Sequence, residues 1–208
     1  MSLINFIHDV DDLSCVQRFS QVSLTKGENV LEHSGFVALV SLYIGEVINK
    51  YSDSKIDMGI LLSKSLLHDF DEIATGDIAR PVKYRNKDLR ESFAKVESEI
   101  MLEISSKYLI SENVFKSWSE SKFEIEGAIV ALSDCISALY KFHSEIVCRG
   151  NLKMGRKYNS NLLSLTESKI KNILDNLGEN AWQVENFFLG ISNECRNLSI
   201  EIKRIGGI

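Results

Sequence analysis

An all-helical, single-domain bundle is what this sequence predicts, and three observations predict it. Apolar residues recur at spacings of three and four through most of the chain, the period of an amphipathic helix. Alternating runs of β-branched residues, the mark of half-buried strands, are scarce. The only proline, Pro81, leaves long stretches in which nothing interrupts a helix. At 208 residues the chain can bury one large core. No internal repeat, low-complexity tract or shift in composition marks a domain boundary.

The elements follow from local signals. A short first helix is expected over Asp11–Phe19, stopped by the turn-forming "TKGEN". A second starts at Glu28-Asn29 and runs to about Asn49, with Val30, Phe36, Val37, Val40, Tyr43, Ile44, Val47 and Ile48 as its buried stripe. After the polar "KYSDSK", Ile56–His68 is apolar enough to be central. In "HDFDEIATGDIARPVKY", Gly76 and Pro81 break the helical pattern and predict a short turn followed by an ordered loop. Lys87–Ile110 reads as a charged amphipathic helix with Leu89, Phe93, Val96, Ile100, Met101 and Ile104 inward. Glu124–Val147 reads as a core helix with Ile125, Ile129, Leu132, Ile136, Leu139 and Tyr140 inward. A basic, glycine-interrupted connection then leads to two last helices, about Ser160–Leu177 and Ala181–Ile200.

Composition narrows the function. Hydrophobic content of 44% and charged content of 25% are those of a soluble globular protein. A net charge of −5 speaks against a stable nucleic-acid partner, which calls for a basic excess, but leaves room for a small anionic substrate. No run approaches the roughly 18 uninterrupted apolar residues of a membrane span. The opening "MSLINFIHDVDD" lacks the basic and apolar regions of a signal peptide, so a cytoplasmic setting without membrane attachment is expected. Cys15, Cys135, Cys148 and Cys195 form no CxxC pair, which points to neither a zinc ribbon nor a disulfide framework.

Four residues stand out as candidate metal ligands. His33 lies within the second helix, His68 and Asp69 adjoin where the third ends, and Asp134 sits mid-helix in "AIVALSDCISALY". Imidazole and carboxylate donors suit several divalent ions and leave positions free for water and substrate. An unpartnered Asp134 in so apolar a helix would be costly to bury. The ordinary alternatives are a hydrogen-bonded core histidine and a carboxylate paired with arginine. His8 and His143 fall outside this pattern and are expected at the surface.

The segments "ENVLEHSGFVALV", "LLHDFDEIATGDIARPVKY" and "ALSDCISALY", in this order, resemble the HD-domain phosphohydrolases. The resemblance is to the branch of bacterial 5'-deoxynucleotidases and bacteriophage dATP triphosphohydrolases, and it covers about Arg18 to Tyr140. It implies that His33, His68, Asp69 and Asp134 hold one divalent metal of the cobalt, manganese or zinc type, with further magnesium accompanying a phosphate tail. It implies that Glu72 handles the proton of the attacking water and that Asp77 is a second active-site carboxylate. Arg18 and Lys83 match phosphate-facing cations, with Pro81 in the same segment. Phe19 stands where the deoxynucleotidases have a Trp associated with 2'-deoxyribose preference, so an aromatic wall remains without its indole donor. The resemblance also implies a homo-oligomer, dimer or hexamer, in a bacterial cytoplasm or, if phage-encoded, that of a host.

The chemistry suits these roles. A bound divalent cation lowers the pKa of coordinated water from about 15.7 towards about 7 and polarises phosphoryl oxygen. Glu72, three positions after Asp69, shares its face on a helical turn. The basic cluster Arg149, Lys153, Arg156 and Lys157 offers contacts to a polyphosphate, which favours a dATP-type triphosphohydrolase over a 5'-deoxynucleotidase acting on dNMPs. A non-catalytic nucleotide-binding HD domain and an alarmone hydrolase are further alternatives.

Overall fold

The computed structural model describes residues 3–83, 85–108, 116, 118–120, 124–159 and 161–207, without the side chains of Arg80, Pro81 and Tyr108. Ten α-helices occur among them: α1 Leu3–Cys15, α2 Val30–Tyr51, α3 Met58–Leu67, α4 Glu72–Thr75, α5 Arg80–Lys83, α6 Lys87–Tyr108, α7 Glu124–His143, α8 Leu152–Gly155, α9 Asn161–Leu177 and α10 Glu185–Gly206. A π-helical turn, Ser144–Cys148, continues α7, and a 3-10 turn, Gly178–Gln183, precedes α10. The described residues contain no strand, only an isolated bridge between Gln17 and Asn29.

Helix α7 is the axis of the bundle. Its residues Ala128 to Ser133 are all buried, and it packs against α2, α3, α9 and α10. The principal core joins Val37, Ile44 and Ile48 of α2, Leu61 of α3, Ile129 and Leu132 of α7, Ile170 and Ile173 of α9, and Phe188 of α10. Helix α3 lies so close to α2 that a Cβ at Gly45 would sit 2.7 Å from Leu61 Cδ2, so the small residue permits the approach. A second cluster joins Leu13, Val30, Phe70, Met101, Ile104 and Trp118, and draws in Phe6 and Val10. Those α1 residues recur at helical spacing, which is why α1 begins well before the expected Asp11.

Several residues expected inside are not. Tyr43 is 63% exposed and Tyr140 51%. Phe36 instead stacks on Tyr140 at 5.9 Å between ring centroids, and Tyr43 meets Phe187 edge-on, so these rings pair along the outer side of the bundle. Val96 of α6 is also exposed, and among the described side chains of that helix Met101 and Ile104 are the buried ones. Helix α2 is long and apolar enough to cross a bilayer, but in the fold it is a core helix with His33, Ser34 and Ser41 buried on it.

The start of α2 has a capping box: the Asn29 side chain accepts from Glu32 N at 2.8 Å, and the Glu32 carboxylate accepts from Asn29 N. This places His33 in the first helical turn with a fixed direction. Asn29→Ala is expected to lower unfolding stability by about 1 kcal/mol, and Ile129→Ala, in the closed core, by about 2–5 kcal/mol. Urea unfolding checks both, and an unshifted Asn29→Ala midpoint would show that the cap contributes nothing.

Candidate metal centre

Three elements deliver the candidate ligands to one point. The first turn of α2 carries His33, the turn that follows α3 carries His68 and Asp69, and the middle of α7 carries Asp134. One donor atom each from His33, His68 and Asp134 lies within 4.8 Å of the others. His33 Nε2 is 3.3 Å from His68 Nε2, 3.3 Å from Asp134 Oδ1 and 3.5 Å from Asp69 Oδ2, while His68 Nε2 is 3.1 Å from Asp69 Oδ2. All four predicted ligands are therefore brought together.

The imidazoles are held from behind. His68 Nδ1 donates to the carbonyl of Ser65 at 2.8 Å, which directs the Nε2 lone pair at the cluster. His33 Nδ1 meets Ser137 Oγ at 3.1 Å and Arg18 Nη1 at 2.8 Å. Ser137 lies one turn beyond Asp134, and that i, i+3 spacing was the signal by which the sequence could have disclosed it.

The electrostatics describe a site crowded with carboxylates. Burial alone would raise Asp69 and Asp134, but the two imidazoles hold both below the usual carboxylate range. His68 is raised in turn, because Asp69 outweighs the burial that would lower it. Glu72 is pushed the other way, up to about 10, by burial and then by the charges of Asp69, Asp77 and Asp71. Its Oε2 is buried and has no hydrogen-bond partner, an orphaned acceptor beside the cluster. Two imidazole nitrogens and two carboxylates form a donor set that fits a divalent cation, with room in the coordination shell for other ligands.

The remaining predicted residues divide. Arg18 pairs with Glu28 and lies 3.9 Å from Asp134, so it reaches the centre. Asp77 accepts from the backbone N–H of Phe19 at 3.0 Å, which holds Phe19 in a left-handed conformation, φ 56°. The Phe19 ring packs edge-on against Phe142 at 5.6 Å and under the Arg18 guanidinium at 5.2 Å. Lys83 pairs with Glu97 of α6 at 2.5 Å. The Pro81 side chain lies outside the described residues. Among the described residues, Arg149, Lys153, Arg156 and Lys157 make no hydrogen bond or ion pair to the ligand cluster; Arg149 turns to Ser144, and Lys153 lines an open cleft with Ser23, Thr25 and Asn151. His8 is exposed, whereas His143 is half-buried and meets Glu201 of α10 at 2.7 Å, contrary to its expected surface position.

Comparison with known proteins agrees with this architecture. The 5'-deoxynucleotidase of Vibrio atlanticus is 31% identical over 98 residues, 47% of this chain and 50% of that protein. The chain thus spans about half the length of that relative. The 5'-deoxynucleotidase YfbR of Salmonella arizonae is 26% identical over 180 residues, covering 81% of this chain and 87% of that one. Among solved structures, an HD-domain phosphohydrolase from Listeria innocua shares the fold with a TM-score of 0.72 at 24% identity, over 98% of this chain and 99% of that one. The cyanophage S-2L HD phosphohydrolase DatZ, bound to dA and one catalytic Zn2+ ion, has a TM-score of 0.55 at 16% identity, over 90% of this chain and 96% of that one. A model of the YfbR-like 5'-deoxynucleotidases matches residues 5–178, and with most of its length inside that match the chain belongs to the YfbR-like family.

Proposed function

We propose that this protein is a metal-dependent 5'-deoxynucleotidase that releases orthophosphate from deoxynucleoside monophosphates. The observation that carries the reading is the four-donor cluster with the buried, unpartnered Glu72 carboxyl oxygen beside it. His33, His68, Asp69 and Asp134 would hold the cation, which when bound supplies Lewis acidity towards phosphoryl oxygen and a lowered pKa for coordinated water.

The protein's own groups do the rest. Glu72 is held in a low-dielectric position where it can exchange a proton with water or with the leaving 5'-oxygen. Arg18, kept charged by Asp134, Glu28 and Asp69 against its burial, would neutralise phosphate oxygens beside the cation. Asp77 fixes the Phe19 backbone, so the aromatic side wall and the arginine are set by one segment. The relatives' names support the monophosphate. The triphosphate reading drew on Arg149, Lys153, Arg156 and Lys157; in the fold Arg149 donates to Ser144, and Lys153 lines the cleft beside Ser23 and Thr25.

Purified protein with Mn2+ or Co2+ and a panel of dNMPs and dNTPs is expected to yield orthophosphate from dNMPs. Triphosphate from a dNTP would select the triphosphohydrolase, and no product from any member would reject both. His33→Ala and Asp69→Ala are expected to lose bound metal and activity, whereas Glu72→Ala keeps metal and loses about 10²–10⁴-fold in turnover. Normal hydrolysis by Glu72→Ala would remove its proton-transfer role.

A pH prediction follows from the same carboxyl. Its native pKa, about 10, is raised above the ordinary 4.5, so its stabilising contribution is full below 4.5 and is lost as pH rises through about 10. Glu72→Gln, which mimics the neutral form, escapes that loss. In excess chelator, the melting temperature of Glu72→Gln should exceed that of wild type by a margin that widens between about pH 5 and about pH 9. A constant margin would place Glu72 outside the buried carboxylate field.

A further inference from the structure

Glu145 is a wholly buried carboxylate, 0% exposed, that the chemistry above does not use. It stands in the π-helical turn that follows the metal-bearing helix. Its Oε2 accepts from Thr25 N at 2.7 Å and Asn151 Nδ2 at 2.9 Å, and its Oε1 accepts from Lys26 N at 3.0 Å. Asn151 Nδ2 also donates to Ser23 O at 2.9 Å. One turn earlier, Lys141 donates to Lys26 O at 2.6 Å and lies 3.7 Å from both Glu145 Oε1 and Glu28 Oε2. Glu28 then pairs with Arg18. A chain of buried and half-buried charges therefore runs from the π turn to the arginine at the metal centre.

The segment held this way is irregular, with Val22 and Leu24 as its apolar contacts to the core. Between Phe19 and Glu28 there is no helix or strand; Val22 N donates to Phe19 O, and the ends are tied where Arg18 N donates to Glu28 O at 2.9 Å. A buried carboxylate is costly unless its lone pairs are satisfied, and here loop N–H groups satisfy them. π turns inside helices are frequent at functional sites, where they redirect a side chain. Burial would raise the Glu145 pKa, but hydrogen bonds from Asn151, Thr25 and Lys26 and the charge of Lys141 hold it below the ordinary value, as a loaded clamp requires.

We propose that Glu145, with Lys141, is a positioning residue: it clamps the 23–28 loop to the π turn and through Glu28 fixes Arg18 against the metal centre. The proposal rests on the functional reading for its consequence in turnover, and on geometry alone for the clamp itself. Glu145→Gln keeps the shape but puts an NH2 group against backbone or Asn151 donors, where only an acceptor fits.

The test uses full-length protein loaded with Mn2+, comparing wild type, Glu145→Gln, Arg18→Ala and the double variant. In Glu145→Gln, trypsin is expected to cleave after Lys26 about tenfold faster, because cleavage follows the population of the opened loop. In the same variant kcat/KM is expected to fall about tenfold or more. Placing Glu145→Gln on Arg18→Ala should then cost nothing further, a result that loss of general stability would not produce. Full additive loss in the double variant, or unchanged cleavage after Lys26, overturns the proposal. If Glu145→Gln does not fold, Asn151→Ala removes one arm of the clamp and is expected to show the same pattern, reduced; wild-type cleavage and turnover there overturn it equally. A wild-type protein that hydrolyses no deoxynucleotide overturns the functional reading instead, and cleavage after Lys26 still decides the clamp.

Discussion

Asp69 and Asp134 face two imidazoles inside a bundle of apolar helices, and much of the surrounding structure serves to keep that charge tolerable. Two half-buried carboxylates this close would repel each other and resist desolvation. Here His33 and His68 stand between them, each with its second ring nitrogen turned to a hydrogen-bond partner. The balance is still short of positive charge, since Glu72 beside the cluster is driven to its neutral form and leaves an acceptor unpartnered. A divalent cation held by His33, His68, Asp69 and Asp134 would offset the charge of the carboxylates around it.

That requirement organises the packing. Helix α7 carries Asp134 through the middle of the molecule, and the apolar faces of α2, α3, α9 and α10 close around it. Helices α2 and α7 supply His33 and Asp134 and the turn that follows α3 supplies His68 and Asp69, whereas Arg18, Phe19 and Asp77 come from irregular segments. Those segments need ties: Asp77 to Phe19 N, Glu28 to Arg18, Glu145 to the backbone of residues 25 and 26. The division follows a general economy of sites, in which precision comes from regular elements and adaptability from loops positioned by them. Phe19, in such a segment, is held at a positive φ with its ring packed on Phe142.

Most of the fold was legible from the chain alone because helical periodicity is a local property. The boundaries of α2, α6 and α9 fall within a few residues of expectation, and Asn29 is a start signal that needs no tertiary context. The ligand set was legible for a different reason: His33, the His68-Asp69 pair and Asp134 occur in an ordered pattern on helices that one bundle can bring together. Less visible were Glu28, Ser137 and Glu145, because each acts on a partner distant in sequence. A glutamate at a helix start and another near a helix end look like ordinary surface charges until the loop between Phe19 and Glu28 is folded back over them.

By itself, then, the sequence determined the helical class, the family and the identity of the chemical groups, since these depend on residue type and short-range spacing. Tertiary structure alone decided which apolar residues face inward, turning Tyr43 and Tyr140 outward where periodicity placed them inside. It also decided the partners of the basic residues: Arg18 reaches Asp134, while Arg149 turns back to Ser144 and Lys83 pairs with Glu97. Charge alone cannot make that distinction, because an ion pair depends on distance in space, and distance is set by how the helices pack.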